Sequence, residues 1–207
     1  MRAARATFNT PSEDKFLFKM LSSVKSRTTK LLRPLARFLK DFGIQPNHLT
    51  VLGLLFSLVS ACFIINQRMI LGAIFLLISG FMDMMDGALA RTENLESDFG
   101  GFFDSVMDRY VEIIIFISLG LSGVSWFSVA AAMSGALMVS YTRARAERII
   151  ERCDVGVAER GERLLILIAG LLTGRVEEAV IIVAVLSHLT ALHRILYTRK
   201  ALKKRHL

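Results

Sequence analysis

Four aspartates, Asp83, Asp86, Asp104 and Asp108, stand inside apolar runs long enough to enter a bilayer. An ionised carboxylate there costs several kcal/mol unless something compensates it, so these acids need a partner. Asp83 and Asp86 are three residues apart and Asp104 and Asp108 four, which puts each pair on one face of a helix. The polar segment TENLESD, residues 92–98, reads as the turn of a helical hairpin, and the pairs are nearly symmetric about it. Asp86 and Asp104 each lie nine residues from Leu95, and Asp83 and Asp108 lie twelve and thirteen away. At about 1.5 Å per residue the pairs face each other at similar depth. Facing carboxylates repel unless cations sit between them, and an all-oxygen set suits a hard divalent ion, Mg²⁺ or Mn²⁺. Two bridged ions are expected.

The residues around the pairs extend the pattern. Gly87 and Ala90 follow Asp83 along its face as a strip that admits a ligand or a second backbone, and Gly100 does the same one turn before Asp104. Arg91, at the polar end of the first helix, is a fixed cation suited to a phosphate. The spacing reads D-x2-D-G-x2-A-R-x8-G-x3-D-x3-D over 26 residues, Asp83 to Asp108. In this the chain resembles the CDP-alcohol phosphotransferase family, whose signature it matches at all eight fixed positions. The resemblance runs over roughly residues 43–200. It implies transfer of a phospho-alcohol group from a CDP-activated alcohol, release of CMP, and Asp108 as both ligand to an ion and acceptor of the attacking hydroxyl's proton.

The elements that must position these residues follow from hydropathy. Of the 207 residues 53% are hydrophobic, yet the formal charge is +8, and the mean hydropathy is +0.50. Apolar content with segregated charge indicates an all-α polytopic membrane protein. The basic charge is read as serving membrane lipids, and nucleic-acid binding is not expected. Cys62 and Cys153 suggest no disulfide framework. The polar first 45 or so residues carry no cleavable signal pattern, so the first apolar segment is expected to insert directly.

Residues 1–44 read as a basic arm and residues 45–207 as the membrane domain. From about Glu13 to Phe42 the arm turns helical and amphipathic: Leu31, Leu35, Phe38, Leu39 and Phe42 form one stripe, with Lys30, Arg33, Arg37 and Lys40 on the other face. Such a helix lies along the membrane surface, its cations toward anionic headgroups. Gly43 ends it and Pro46 opens the next. Six transmembrane segments are expected, at about 46–65, 70–91, 99–123, 125–146, 162–175 and 178–198. The fifth is short, its apolar core running only ten residues from Leu164 to Thr173, so it is either re-entrant or, as favoured here, begins with its polar ERGER submerged in a water-filled cavity.

Ten Lys/Arg precede residue 41, six lie in 143–163 and six follow from Arg194, whereas the opposite loops offer Arg68 and Arg175. The positive-inside rule then puts both termini and the aspartates on the cytoplasmic side of the cell membrane. The track Ala131, Gly135 with Ala132, Ala136 suits a dimer seam and packing within one subunit about equally; a homodimer is the expectation carried forward.

This topology brings Arg143, Arg163 and Arg194 to the aspartates' leaflet, interleaved with Glu147, Glu159 and Glu162 as an ordered polar pocket requires. SYTRARAE (140–147) and ERGERL (159–164) are similar to segments of the family's inositol-phosphate-using branch, with Gly161 where proline is usual. In that branch these three cations hold the acceptor's phosphate. The resemblance also puts Asn47, Thr50, Gly87, Arg91 and Ser97 near the nucleotide, although Asn47, Thr50 and Ser97 serve equally as helix-start residues.

The expected activity is transfer of a phosphatidyl or archaetidyl group from a CDP-lipid to inositol phosphate, in phospholipid biosynthesis. Diacylglycerol and archaeol donors both stay open, with a lean toward the archaeal type, as does a soluble CDP-inositol donor. Glycerol 3-phosphate is the alternative acceptor. An ion transporter is the alternative of another class, because intramembrane acids often mark ion paths.

Overall fold

A computed structural model describes residues 32–203. It is all-helical, with no strand among the described residues: α1 (32–41), α2 (Pro46–Ile65), α3 (Met69–Glu93), α4 (Asp98–Leu121), α5 (Trp126–Ala146), α6 (Arg160–Thr173) and α7 (Val176–Lys203). Three of them, α2, α3 and α7, are long and apolar enough to cross a membrane. Large apolar side chains such as Leu55, Leu77, Val185 and Leu196 lie exposed on their outer faces.

The ends of these helices follow local chemistry. Pro46 occupies the first turn of α2, where its missing N–H is no loss, and Gln45 and His48 form a reciprocal cap. Asn94 closes α3 in the left-handed conformation (φ 54°), which asparagine tolerates. Ser97 opens α4, its hydroxyl accepting from Gly100 N at 3.0 Å.

Small residues set the closest approaches. Ser60 Oγ donates to Gly72 O at 2.7 Å and Ser79 Oγ to Gly53 O at 2.8 Å, so α2 and α3 are stitched backbone to side chain. The α5 track is used within the chain: Ala132 and Ala136 are buried, and a Cβ on Gly135 would stand 2.9 Å from Ser187 Cβ of α7. It is therefore no exposed dimer seam.

Packing also explains the site's opening. α2 packs on both α3 and α4, α6 on α3 and α7, and α5 on α4 and α7. Although α3 and α4 are joined by a short turn, they are not among the pairs in close backbone contact. The hairpin expected from the sequence is thus splayed, and its facing side chains meet across a gap. Below the gap, Leu76, Phe116, Leu119, Leu171 and Val180 fill the centre of the bundle.

α1 departs from the single stripe read in the sequence. Leu32, Ala36 and Leu39 pack against Leu49, Met85 and Leu89, while Leu35, Phe38 and Phe42 face outward, the two rings 4.7 Å apart. Lys40 Nζ pairs with Glu93 at 2.7 Å, tying α1 to the end of α3. The expected helix residues 13–31, with Lys30 and Leu31, lie outside the described residues.

The segment 147–159 folds back onto α7. Ile150 and Cys153 are buried with Tyr197 and Leu202, and burial raises the Cys153 thiol above its ordinary value. Both cysteines are free thiols. Val157 N and Ala158 N each donate to Thr190 Oγ1 at 3.2 Å, and Gly156 between them and the buried turn has φ 139°. A Cβ there would lie 2.3 Å from Thr190 Cγ2. Gly156→Ala is expected to destabilise the protein by about 1–3 kcal/mol through strain and the lost anchor. A lowered melting temperature in detergent checks this, and an unchanged one would contradict it.

Candidate active site

α3 and α4 bring three of the four aspartates together. One oxygen each of Asp83, Asp104 and Asp108 lies within 4.8 Å of the other two. Asp86, expected as a fourth member, is turned toward α2 and buried, where its Oδ2 accepts from Thr50 Oγ1 at 2.7 Å. The same cleft is lined by Asp83, Asp86, Asp108, Thr50 and Ser79, so Asp86 borders the cluster without joining its tightest group. Asp104 Oδ1 is buried with no hydrogen-bond partner. Three converging carboxylates with an unsatisfied buried oxygen fit a hard divalent cation.

A cation from α6 already meets this cluster. Arg160 Nη1 lies 2.5 Å from Asp83 Oδ1 and 2.7 Å from Asp108 Oδ1, bridging α3 and α4. Sequence reasoning missed it. The signal available was its spacing, three residues before Arg163, which puts both on one face of the short helix's first turn. The polar start of α6 is therefore neutralised by carboxylates of neighbouring helices.

Beyond Arg160 the ion pairs continue along α4. Glu112 Oε1 accepts from Arg163, which also donates to Ala158 O at 2.7 Å. Arg109 reaches Asp108 Oδ2 and Glu112 Oε2, each at 3.5 Å. Glu112, one turn past Asp108, thus links the aspartate cluster to the first turn of α6.

The three arginines expected as an acceptor pocket all engage in internal pairing. Arg163 and Arg194 are 2% exposed. Arg194 donates to Val155 O at 2.8 Å and Val139 O at 2.6 Å, so it knits α5, α7 and the segment 147–159 together. Arg143 is the most open, paired with Glu147 at 3.0 Å and Asp154 at 2.6 Å. Glu159 lies 3.9 Å from Arg143 and 3.8 Å from Arg194, joining the two, while Glu162 is exposed. No atom lies within 4 Å of a Cβ built on Gly161, so the position is open at that atom.

At the other end of the cleft, the starts of α2 and α4 meet. A Cβ on Gly100 would stand 2.9 Å from Ser97 Oγ and 3.5 Å from Asn47 Oδ1, which brings three of the expected nucleotide residues together. Arg91 is exposed and lies back over Gly87, its Nη1 3.0 Å from where a Cβ would be, with Ala90 half-buried nearby.

Three membrane-capable helices and a carboxylate cluster between two elements fit a membrane enzyme that works at a divalent metal. The chain belongs to the CDP-alcohol phosphatidyltransferase family, whose profile matches residues 44–196. It is similar to archaetidylinositol phosphate synthase of Pyrococcus horikoshii, 37% identical over 186 residues, covering 89% of this chain and 99% of that one. It is also similar to phosphatidylinositol phosphate synthase of Mycobacteroides abscessus, 31% identical over 160 residues, covering 72% and 73%. The fold matches the Mycobacterium tuberculosis phosphatidylinositol phosphate synthase with CDP-DAG bound, with TM-score 0.73, 26% identity and coverage of 83% and 92%. The same enzyme in complex with manganese and citrate matches with TM-score 0.71, 27% identity and coverage of 80% and 87%.

Thr50 of α2 donates to Asp86 of α3 across the two helices. Thr50→Val, which keeps the shape and removes the hydroxyl, is expected to cost about 1.5–3 kcal/mol, the range for a hydrogen bond to a charged group. Thermal melts in EDTA measure this; a melt equal to the parent's would mean that the bond does not hold Asp86.

Proposed function

We propose that the protein transfers a phospho-alcohol group, phosphatidyl or archaetidyl, from a CDP-lipid to inositol phosphate and releases CMP. The convergence of Asp83, Asp104 and Asp108 carries this reading. Relatives named archaetidylinositol phosphate synthase and phosphatidylinositol phosphate synthase support the acceptor, and the CDP-DAG-bound relative supports the donor. Membership of a transferase family removes the ion-transporter alternative. Glycerol 3-phosphate stays as the competing acceptor to be tested.

Asp83, Asp86, Asp104 and Asp108 would hold two divalent ions, Mg²⁺ or Mn²⁺, which supply charge neutralisation at the pyrophosphate. Asp108 takes the proton of the acceptor hydroxyl as its oxygen bonds to the lipid-side phosphorus and the bond to CMP breaks. Arg91 steadies the diphosphate from the open end of α3. Asn47, Thr50, Gly87, Ala90, Ser97 and Gly100 form the nucleotide's surround, the glycines by leaving room beside their helices. Arg143, Arg163 and Arg194 orient the acceptor's phosphate, Arg143 most directly because it is the most open. Orientation of the hydroxyl contributes much of the acceleration.

In this reading the described residues from 45 onward form one membrane domain with six spans, and α1 lies along its cytoplasmic face. α4 and α5, at 24 and 21 residues, have the length for a span of about 30 Å. α6, at 14 residues, is shorter and enters through its paired arginines. Leu35, Phe38 and Phe42 give α1 an apolar edge for lipid. The distribution of Lys and Arg puts both termini and the site on the cytoplasmic side. A homodimer belongs to the same proposal, with its seam elsewhere than the α5 track.

Asp108→Asn is expected to abolish CMP release, by at least about 10²-fold as for loss of a general base, while CDP-lipid binding stays near the parent's. Near-normal turnover would remove Asp108 from the base role. A panel of acceptors with one CDP-lipid is expected to give turnover with inositol phosphate and little with free inositol or glycerol 3-phosphate. Equal use of free inositol would overturn the arginine pocket.

A further inference from the structure

Arg160 makes a contact that the proposed chemistry does not use. Its Nη1 sits between Asp83 and Asp108, two of the three carboxylates whose oxygens converge. A divalent ion held by those oxygens and a guanidinium held by them need the same lone pairs, and like charges at that distance repel. The two occupants are therefore exclusive. Arg160 is also only partly committed: its Nε is buried with no acceptor, unlike Arg163 and Arg194, which donate to carbonyls and carboxylates on several sides. It stands at the first residue of α6, between the aspartate cleft and a second, largely apolar cleft lined by Val111, Ile115, Phe116 and Leu164. The side chain thus borders both clefts.

We infer that Arg160 is an exchangeable counter-cation. Without metal it bridges Asp83 and Asp108 and holds α3 and α4 at the separation the cluster needs, although their backbones do not pack on each other. When a divalent ion takes the carboxylates, Arg160 gives up both contacts and presents a free guanidinium at the cleft wall. The inference rests on the reading that these aspartates hold a divalent ion. It assigns Arg160 a place in metal loading, as a positioning residue that competes with the metal for Asp83 and Asp108.

Mn²⁺ binding by calorimetry, on the full chain in detergent, tests this without turnover. Arg160→Gln is expected to bind Mn²⁺ roughly tenfold tighter than the parent, because the cation that competes for Asp83 and Asp108 is removed. It is also expected to melt lower than the parent in EDTA and to recover the parent's melting temperature in saturating Mn²⁺. Arg160→Lys, whose single ammonium cannot bridge both carboxylates as well, is expected to shift affinity the same way by less. Affinity equal to or weaker than the parent's in a folded Arg160→Gln or Arg160→Lys would overturn the exchange. Failure of the parent itself to bind Mn²⁺ would instead sink the metal reading, and Asp83→Asn serves as the non-binding control.

Discussion

Charge balance in a narrow gap between two apolar helices is the constraint on which the structure depends. Asp83, Asp104 and Asp108 converge from α3 and α4, and carboxylates this close in a poorly solvated place repel unless a cation is among them. The fold meets that need from α6: its first turn inserts Arg160 between Asp83 and Asp108 and Arg163 against Glu112.

The rest of the bundle keeps that gap open and stationary. α2 reaches both α3 and α4 and supplies Thr50 to Asp86, so the second aspartate of α3 is fixed from outside the cluster. α5 and α7 pack closely through Gly135 and its alanine neighbours, and Arg194 ties both to the segment 147–159 that leads into α6. Hydrogen bonds from Val157 and Ala158 to Thr190 hold the same segment to α7. The position of Arg160 is thereby set from α5 and α7 as well. Family membership places this arrangement among enzymes that work at a CDP-activated phosphate, where fixed charge and orientation do most of the catalysis.

Much of this was legible in the residues. The spacing of Asp83, Asp86, Asp104 and Asp108 about TENLESD gave the hairpin and its facing acids, because helical periodicity fixes which residues share a face. Pro46, Gly43 and Ser97 marked helix ends by ordinary capping chemistry. The splay between α3 and α4 was not legible, because periodicity says which face an acid occupies and nothing about how far away its neighbour stands. The turn of Asp86 toward Thr50 was hidden for the same reason. Arg160 escaped notice because a helix-end arginine reads as a flank beside lipid headgroups unless its partners on other helices are known. In α1, a stripe of five apolar residues could not reveal that Leu39 faces α2 and α3 while Phe38 and Phe42 face away.

Whether the carboxylates between α3 and α4 clasp a divalent ion is open to direct observation. Crystals grown with Mn²⁺ and measured near the manganese absorption edge test it most directly. Anomalous density is expected among Asp83, Asp104 and Asp108, within bonding distance of at least one oxygen of each. Density elsewhere on the chain, or none at saturating Mn²⁺, would contradict it.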